Sequence, residues 1–513
     1  MKKTNSFAYN TLFLVLAGFV CKLLGAIYRV PLINILGAEG IGMYQLVYSV
    51  FVLFVALSSS SISMAVSKII SEHSDLGFIK ASFLLVGSFS LLIAILMLGL
   101  SYPISILQGN SSLYYSYAIL SPTLIIIAFS SILKGWFLGN FNSLPTALSQ
   151  VIEQVVKIVF GLLFAYFLVK KSLLFGVLGA LLAILLSEVS SFITLLICFL
   201  KDKKSFALQM NFKTNAKKLV KVNTPILLVN LMLPIMAFID SILLVKLLQM
   251  RGHSFGFATG LYGLLTGSVN SLINMPIVFA LSISIVVVPI ISKSVANKNL
   301  ETIKQKGGMA IKISYLIGVP SMFGLYALAR PILLMLYPTL NAQAIDTTIS
   351  LLQISSVNVI LLSQLQVYVS LLQALNKTKI CIISILVSSI VRIILEVVLV
   401  GYADIYGASL AIVLSLFVGV IINLIFYNKY LGHNKKLLKS VSKILVCSVI
   451  MFLAVFSVTK IVNNIYFQSV FGMIVGVAVY FIFIFAFKVI EDNEILSLPY
   501  GDKILSKIKR RKQ

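Results

Sequence analysis

Lys22 and Arg29 lie seven residues apart inside one apolar run, so a helix there places both cations on one face, two turns apart. No carboxylate shares that face, and Glu39 comes only in the turn that follows. Two unpaired cations suit an anion such as a diphosphate, because the guanidinium fork grips phosphate oxygens bidentately. The same charges could instead snorkel to the membrane interface or pair with Glu188 or Asp240 from other helices, and Lys22, nearer the start of the run, is the better placed to snorkel.

Further ionisable residues stand in apolar runs, where a charge at mid-membrane costs at least ~2.5 to 3.5 kcal/mol unless it faces water or a partner. Glu153 and Lys157 are four apart, as are Arg392 and Glu396, which is the spacing of an intrahelical ion pair. Gln150 and Gln154 widen the polar face of the first pair, as a water-filled cavity would require. Glu188, Ser58 and Ser59 are the other candidate cavity residues, and Arg330 falls near the outer end of its run. Asp240 has no basic residue within a turn, so it calls for a cavity, a cation or Arg392 from another helix. Asp240, Glu396 and Arg392 together could bind Na⁺ or a proton and couple an ion gradient to transport, or they could form a structural salt bridge.

The elements that must hold these residues are membrane helices. Of 513 residues, 59% are hydrophobic and 11% charged, against roughly a quarter charged in soluble domains; mean hydropathy is +1.06. Apolar runs of ~20 residues recur from Asn10 to Lys488, each long enough to cross ~30 Å of hydrocarbon as a helix. They are apolar all round, which excludes the alternating strands of a β-barrel. About fourteen transmembrane helices are expected, in an all-α polytopic fold.

The net charge of +26 sits in loops: Lys2 to Lys3, Lys68 to Lys80, Lys201 to Lys221, Lys293 to Lys312, Lys377 to Lys379, Lys429 to Lys443 and Lys503 to Lys512. Opposite loops hold only Lys170, Lys171, Lys246, Arg251 and Lys460. That asymmetry supports an even number of spans in a bacterial inner-membrane protein, with both termini expected in the cytoplasm. The basic face needs anionic membrane lipids as partners and no nucleic acid. The opening lacks a small-residue cleavage site, so it reads as a first span rather than a signal peptide.

Enzymatic chemistry finds little support. Cys21, Cys198, Cys381 and Cys447 stand singly in apolar runs without metal-ligand spacing, and His73, His253 and His433 fall in loops. No phosphate-binding glycine loop, nucleophile elbow or dinucleotide fingerprint is present. A polyprenyl-linked glycan transferase would need large outer loops with acidic or His residues, and here those loops are short. No cofactor is expected beyond Na⁺ or a proton as coupling ion, and no catalytic residue.

The organisation suggests a duplication. Gly42-Met43-Tyr44-Gln45-Leu46 resembles Gly260-Leu261-Tyr262-Gly263-Leu264, and Ala56-Leu57-Ser58-Ser59-Ser60-Ser61-Ile62 resembles Ala280-Leu281-Ser282-Ile283-Ser284-Ile285. Six spans separate the copies, so they share one orientation, implying two parallel lobes. The expected arrangement is a six-span lobe over 1–200, a basic cytoplasmic linker over 201–222, a second lobe over 223–430, a terminal pair over 431–490 and a basic tail over 491–513. Pro225, Pro234, Pro276, Pro289, Pro320 and Pro331, with Pro31 in the first span, allow bends. The last two spans serve packing or line a groove for a lipid tail.

The stretch Gly18 to Leu32, with its Cys21-Lys22-Leu23-Leu24-Gly25 and Tyr28-Arg29-Val30-Pro31, followed by Leu36-Gly37-Ala38-Glu39-Gly40-Ile41-Gly42-Met43-Tyr44, resembles the start of the stage V sporulation protein B and YtgP group. That group belongs to the MOP superfamily of polysaccharide and lipid-linked precursor exporters, related to the MurJ lipid II flippases. The resemblance implies a bilobed V-shaped fold, alternating access, and flipping of an undecaprenyl-diphosphate-linked glycan precursor for the cell wall, with Lys22 and Arg29 meeting the diphosphate. It also implies a Na⁺ site among the seventh, eleventh and twelfth spans, where Asp240 and Glu396 would sit. The second span departs from the MurJ pattern, offering Ser58 to Ser61 in place of an embedded arginine. A monomer is expected. The competing transport reading is a multidrug or cation exporter of the MATE kind, which would need cavity carboxylates rather than cations.

Overall fold

The computed structural model describes residues 2–72, 76–201, 212–279, 291, 294–295, 299–432 and 435–489. His73, His433, Lys293, Pro289, the serines of the second repeat copy (Ser282 and Ser284), residues 202–211 of the linker and the tail over 491–513 lie outside them.

The described chain is all helical, with no strand among the described residues. In order the helices are α1 (Lys2–Ser59), α2 (Ile62–Glu72), α3 (Leu76–Leu107), α4 (Tyr114–Leu120), α5 (Thr123–Gly139), α6 (Leu144–Leu168), α7 (Leu173–Lys201), α8 (Phe212–Met250) and α9 (Phe255–Gly263). After a π-helical turn over Leu264–Val269 come α10 (Leu300–Ala327), α11 (Ala329–Leu336), α12 (Ala342–Ser355), α13 (Asn358–Ala374), α14 (Thr378–Leu431), α15 (Lys435–Ile461) and α16 (Ile465–Ala486).

Ten described helices are long and apolar enough to cross a membrane, or up to eleven when the bent pair Ala342–Ser355 and Asn358–Ala374 counts as one span. This helix count is not a count of crossings, because a single long helix can hold two of them. At 1.5 Å per residue the 58 residues of α1 run roughly 90 Å and the 54 of α14 roughly 80 Å, each more than twice the hydrocarbon thickness.

Both long helices break internally. α1 breaks at Gly37, whose φ of 67° and ψ of −176° belong to a region that only glycine enters readily. Helix continues through Pro31, so the bend falls at the glycine rather than at the proline. α14 breaks at Ala403 and Asp404, the latter at φ 54°. Asp404 holds that conformation with its own side chain: Oδ1 accepts from the Ile405 N–H at 2.7 Å, and Oδ2 meets His253 Nε2 at 2.5 Å.

Two compact units emerge from the internal contacts. The first comprises 1–278, 337–351 and 385–415, and it contains every charge on which the site depends. Without water to drive association, membrane helices pack closely through small residues. Where the part of α1 after its break meets α9, a Cβ on Gly42 would overlap the Thr259 carbonyl, and one on Gly263 would come within 2.5 Å of the Gly42 nitrogen. The two glycine segments that resemble one another in sequence therefore touch. α5 meets α2 in the same way, a Cβ on Gly135 falling 2.8 Å from the Ser63 carbonyl oxygen. An apolar cluster of Val66, Ile70, Ile132, Leu133 and Trp136 fills the adjoining space.

The second unit comprises 279–336, 352–384 and 416–513. There α15 and α16 pack on each other and on α10, tied by a hydrogen bond from the Tyr480 hydroxyl to the Leu316 carbonyl at 2.8 Å. Much of α16 is apolar and exposed, including Phe467, Ile474 and Phe481, the face expected against lipid tails.

Candidate functional site

The first charge group is carried by α1, α5, α6 and α7. Arg29 is half-buried on α1, eight residues before the Gly37 break. Its Nη1 donates to the Ser271 hydroxyl at 3.2 Å, and no carboxylate among the described residues pairs with it. Ser271 is presented by the helical stretch after the π turn. A π turn displaces one carbonyl from the regular ladder; Gln45 Nε2 reaches the Thr266 carbonyl at 3.4 Å, while the Ser271 hydroxyl donates to the Gly267 carbonyl and accepts from Arg29. Tyr28, Tyr44 and Tyr337 stand near enough to feel the guanidinium, and the buried hydroxyls of Tyr28 and Tyr337 have no hydrogen-bond partner.

Lys22 is exposed on the same helix. Between it and Arg29, Gly25 leaves room for Gln154, which is buried with its Nε2 unsatisfied. Glu153 does not close onto Lys157; it pairs with Lys134 of α5 at 3.6 Å, each side chain 19% exposed. The interhelical partner wins because Lys134 faces the same interior as Glu153, whereas spacing along one helix fixes only what a helix can do alone. Glu188 of α7 lies close enough to Glu153, Lys134 and Lys157 to share their field. Lys134 is not among the residues singled out from sequence, although it stands in an apolar run as plainly as Glu153 does. Gln150 is half-buried. Ser58 and Ser59 are buried and donate to the backbone carbonyls of Leu124 at 3.5 Å and Val55 at 3.2 Å, so their hydroxyls are engaged by the protein itself.

The balance of charge decides the polarity. Among the described residues of this group, Arg29, Lys134 and Lys157, with exposed Lys22 at the margin, outnumber Glu153 and Glu188. An interior with surplus positive charge is expensive in a membrane unless an anion or water meets it.

The second group joins α8 to α14. Arg392 Nη2 donates to Asp240 Oδ2 at 2.6 Å and Nε donates to Glu396 Oε1 at 3.0 Å, with Asp240 6% and Glu396 0% exposed. The expected intrahelical pair of Arg392 and Glu396 is present, and so is the link from Arg392 to Asp240 across helices. Asp240 Oδ1 and Glu396 Oε2 remain buried without a partner. Tyr262 of α9 lies against the cluster and bonds Ser49. Beside Asp240, Ser241 enters a buried chain in which Tyr117 donates to Gln108 Oε1 and Gln108 Nε2 donates to the Ser241 hydroxyl at 3.1 Å and the Leu46 carbonyl at 3.1 Å. Here two carboxylates oppose one cation, the reverse of the first group.

The Na⁺ ion implied by the family resemblance fits this second group poorly. Arg392 already engages one oxygen of each carboxylate, and the oxygens left over number only two, one on each residue. No group of three or more His, Cys, Asp or Glu suited to a metal occurs among the described residues. A cleft of about 480 Å³ opens beside the Gly37 break, lined among others by Glu39, Ser254, Asn341, Gln343 and Thr347.

Comparison with known proteins places these features. Residues 7–295, more than half of the chain, match the family model described as polysaccharide biosynthesis protein. Stage V sporulation protein B of Bacillus subtilis (strain 168) is 27% identical over 98% of this chain and 99% of its own length. The lipid II flippase MurJ of the same organism is 27% identical over 87% of each chain. In fold, a structure of the lipid II flippase MurJ in an inward closed conformation superposes with a TM-score of 0.75 at 20% identity, covering 93% of this chain and 98% of that one. The chain is a multi-pass membrane protein and belongs to the polysaccharide biosynthesis protein family.

Proposed function

We propose that this protein is a flippase that carries an undecaprenyl-diphosphate-linked cell-wall glycan precursor, of the lipid II kind, across the bacterial cytoplasmic membrane by alternating access. The observation that carries the reading is Arg29: a guanidinium half-buried in a membrane-spanning helix, held by a neutral serine and without a carboxylate partner among the described residues. An arginine in that state has its fork free for the paired oxygens of a phosphate. Lys22 lies two turns, roughly 10 Å, away on the same helix and supplies a second cation for the anionic headgroup. The MurJ relative, a lipid II flippase, points the same way.

Transport against a gradient needs a second, coupled equilibrium. Asp240, Arg392 and Glu396 are the group proposed to supply it by taking up and releasing a proton, because two buried carboxylates there share a single cation. An exporter of organic cations would want the opposite polarity around Arg29. Translocation of lipid II in cells depleted of their own flippase tests the reading. Arg29→Ala should abolish rescue at normal protein level, and full rescue by that variant would refute the cation-led mechanism.

A further inference from the structure

We propose that Arg392 is a built-in cation: its guanidinium takes the place between Asp240 and Glu396 that a bound sodium ion would need, so this chain neither binds sodium there nor depends on it. The statement about binding stands on the geometry of the cluster alone. The statement about dependence rests on the transport reading above.

A small hard cation is held by oxygens gathered from several groups, commonly six or more. The carboxylates in this cluster are Asp240 and Glu396, both more than nine-tenths buried, and the guanidinium engages one oxygen of each, at 2.6 and 3.0 Å. The remaining oxygens, Asp240 Oδ1 and Glu396 Oε2, have no donor. Tyr262 also lies against the cluster with its hydroxyl turned to Ser49, and the Ser241 hydroxyl beside Asp240 donates to the Phe238 carbonyl and accepts from Gln108. Sodium entering beside Arg392 would find two free carboxylate oxygens and a fixed like charge roughly 4 Å away. That repulsion alone weakens binding by roughly a thousandfold at an effective dielectric of about 20.

The guanidinium does not vacate the position by losing a proton, since arginine stays charged in proteins. Nor does it diffuse away, because it is fixed one helical turn from Glu396 on α14. It therefore acts as a tethered counter-ion present at high effective concentration whatever the medium contains. Its side chain is 26% exposed, the most open of the three.

Removing the guanidinium should create the missing site. Arg392→Gln leaves two facing carboxylates and an amide oxygen, while Arg392→Lys keeps the cation. The experiment measures binding of radioactive sodium to the purified full-length protein in detergent, with choline at equal ionic strength as the reference. In parallel, thermal unfolding is followed with sodium or choline as the sole cation. Wild type and Arg392→Lys should show no saturable sodium binding and equal unfolding temperatures in the two salts. Arg392→Gln should bind sodium saturably and melt higher in sodium than in choline, and adding Asp240→Asn should abolish both effects. Saturable binding to wild type that Asp240→Asn removes would overturn the proposal. So would a folded Arg392→Gln that ignores sodium. If Arg392→Gln does not fold in either salt, the wild-type comparison with Asp240→Asn still decides. No glycolipid enters the assay, so its failure leaves the flippase reading untouched, and failure of lipid II rescue leaves the sodium result untouched.

Discussion

The two charge groups of the first unit are built from the same residue types with opposite surplus. Around Arg29 the cations outnumber the carboxylates, and the arginine rests on a serine; around Arg392 the carboxylates outnumber the cation, and the arginine is gripped at both ends. The difference shows what makes a buried arginine available. A guanidinium satisfied by charged partners is a structural counter-ion, and extracting it leaves the partners uncompensated. One satisfied by a neutral hydroxyl keeps most of its electrostatic attraction for an incoming anion. Position in an apolar helix is common to both, so burial alone does not separate a binding residue from a structural one.

The strongest way to break the comparison is to disturb the contact that places both groups. Gly42→Leu puts a side chain where the Thr259 carbonyl lies, forcing α1 from α9, the helices that carry Arg29 and Tyr262. Loss of folded protein by size-exclusion chromatography is expected, since overpacking of this extent exceeds the usual cost of about 1 to 3 kcal/mol. Next in size, Arg392→Ala in sodium-free medium should lower stability by about 3 to 5 kcal/mol, read from chemical unfolding, because two buried carboxylates lose their shared cation. Arg29→Ala should leave stability nearly unchanged while weakening glycolipid binding by roughly ten- to a hundredfold, the value of a charge-assisted bond of about 1.5 to 3 kcal/mol. Ser271→Ala should sharpen the contrast: it frees Arg29 from its one described side-chain acceptor at a cost of about 0.5 to 1.5 kcal/mol, changing binding by at most about tenfold. Smallest of all, Lys134→Gln should shift stability by no more than about 1 kcal/mol, since its 3.6 Å pair with Glu153 is partly hydrated.

Much of this is legible in the sequence alone. Lys22, Arg29, Asp240, Arg392 and Glu396 announce themselves as charges in apolar runs, and a four-residue spacing correctly joins Arg392 to Glu396. The same spacing fails for Glu153 and Lys157, because periodicity describes one helix and says nothing about which neighbour its face meets; Lys134 supplies the partner from another chain segment. Ser58 and Ser59 read as cavity residues by type, yet in helices a serine hydroxyl is readily consumed by a backbone carbonyl. The bend in α1 illustrates competing signals. Pro31 invites a kink, but the backbone turns at Gly37, where a conformation closed to other residues ends one helical stretch and starts the next. Ser271 and Tyr337 carry no sequence signal at all, since their relevance comes from a π turn and a distant segment converging on Arg29.

The central claim is that the unpaired guanidinium of the first span holds a diphosphate, and binding measures it most directly. Purified full-length protein in lipid nanodiscs would be titrated with undecaprenyl diphosphate and with undecaprenol, for wild type, Arg29→Ala and Arg29→Lys. Wild type should prefer the diphosphate, Arg29→Ala should lose that preference by at least about tenfold, and Arg29→Lys should restore part of it. Equal affinity of wild type and Arg29→Ala for the diphosphate would contradict the account.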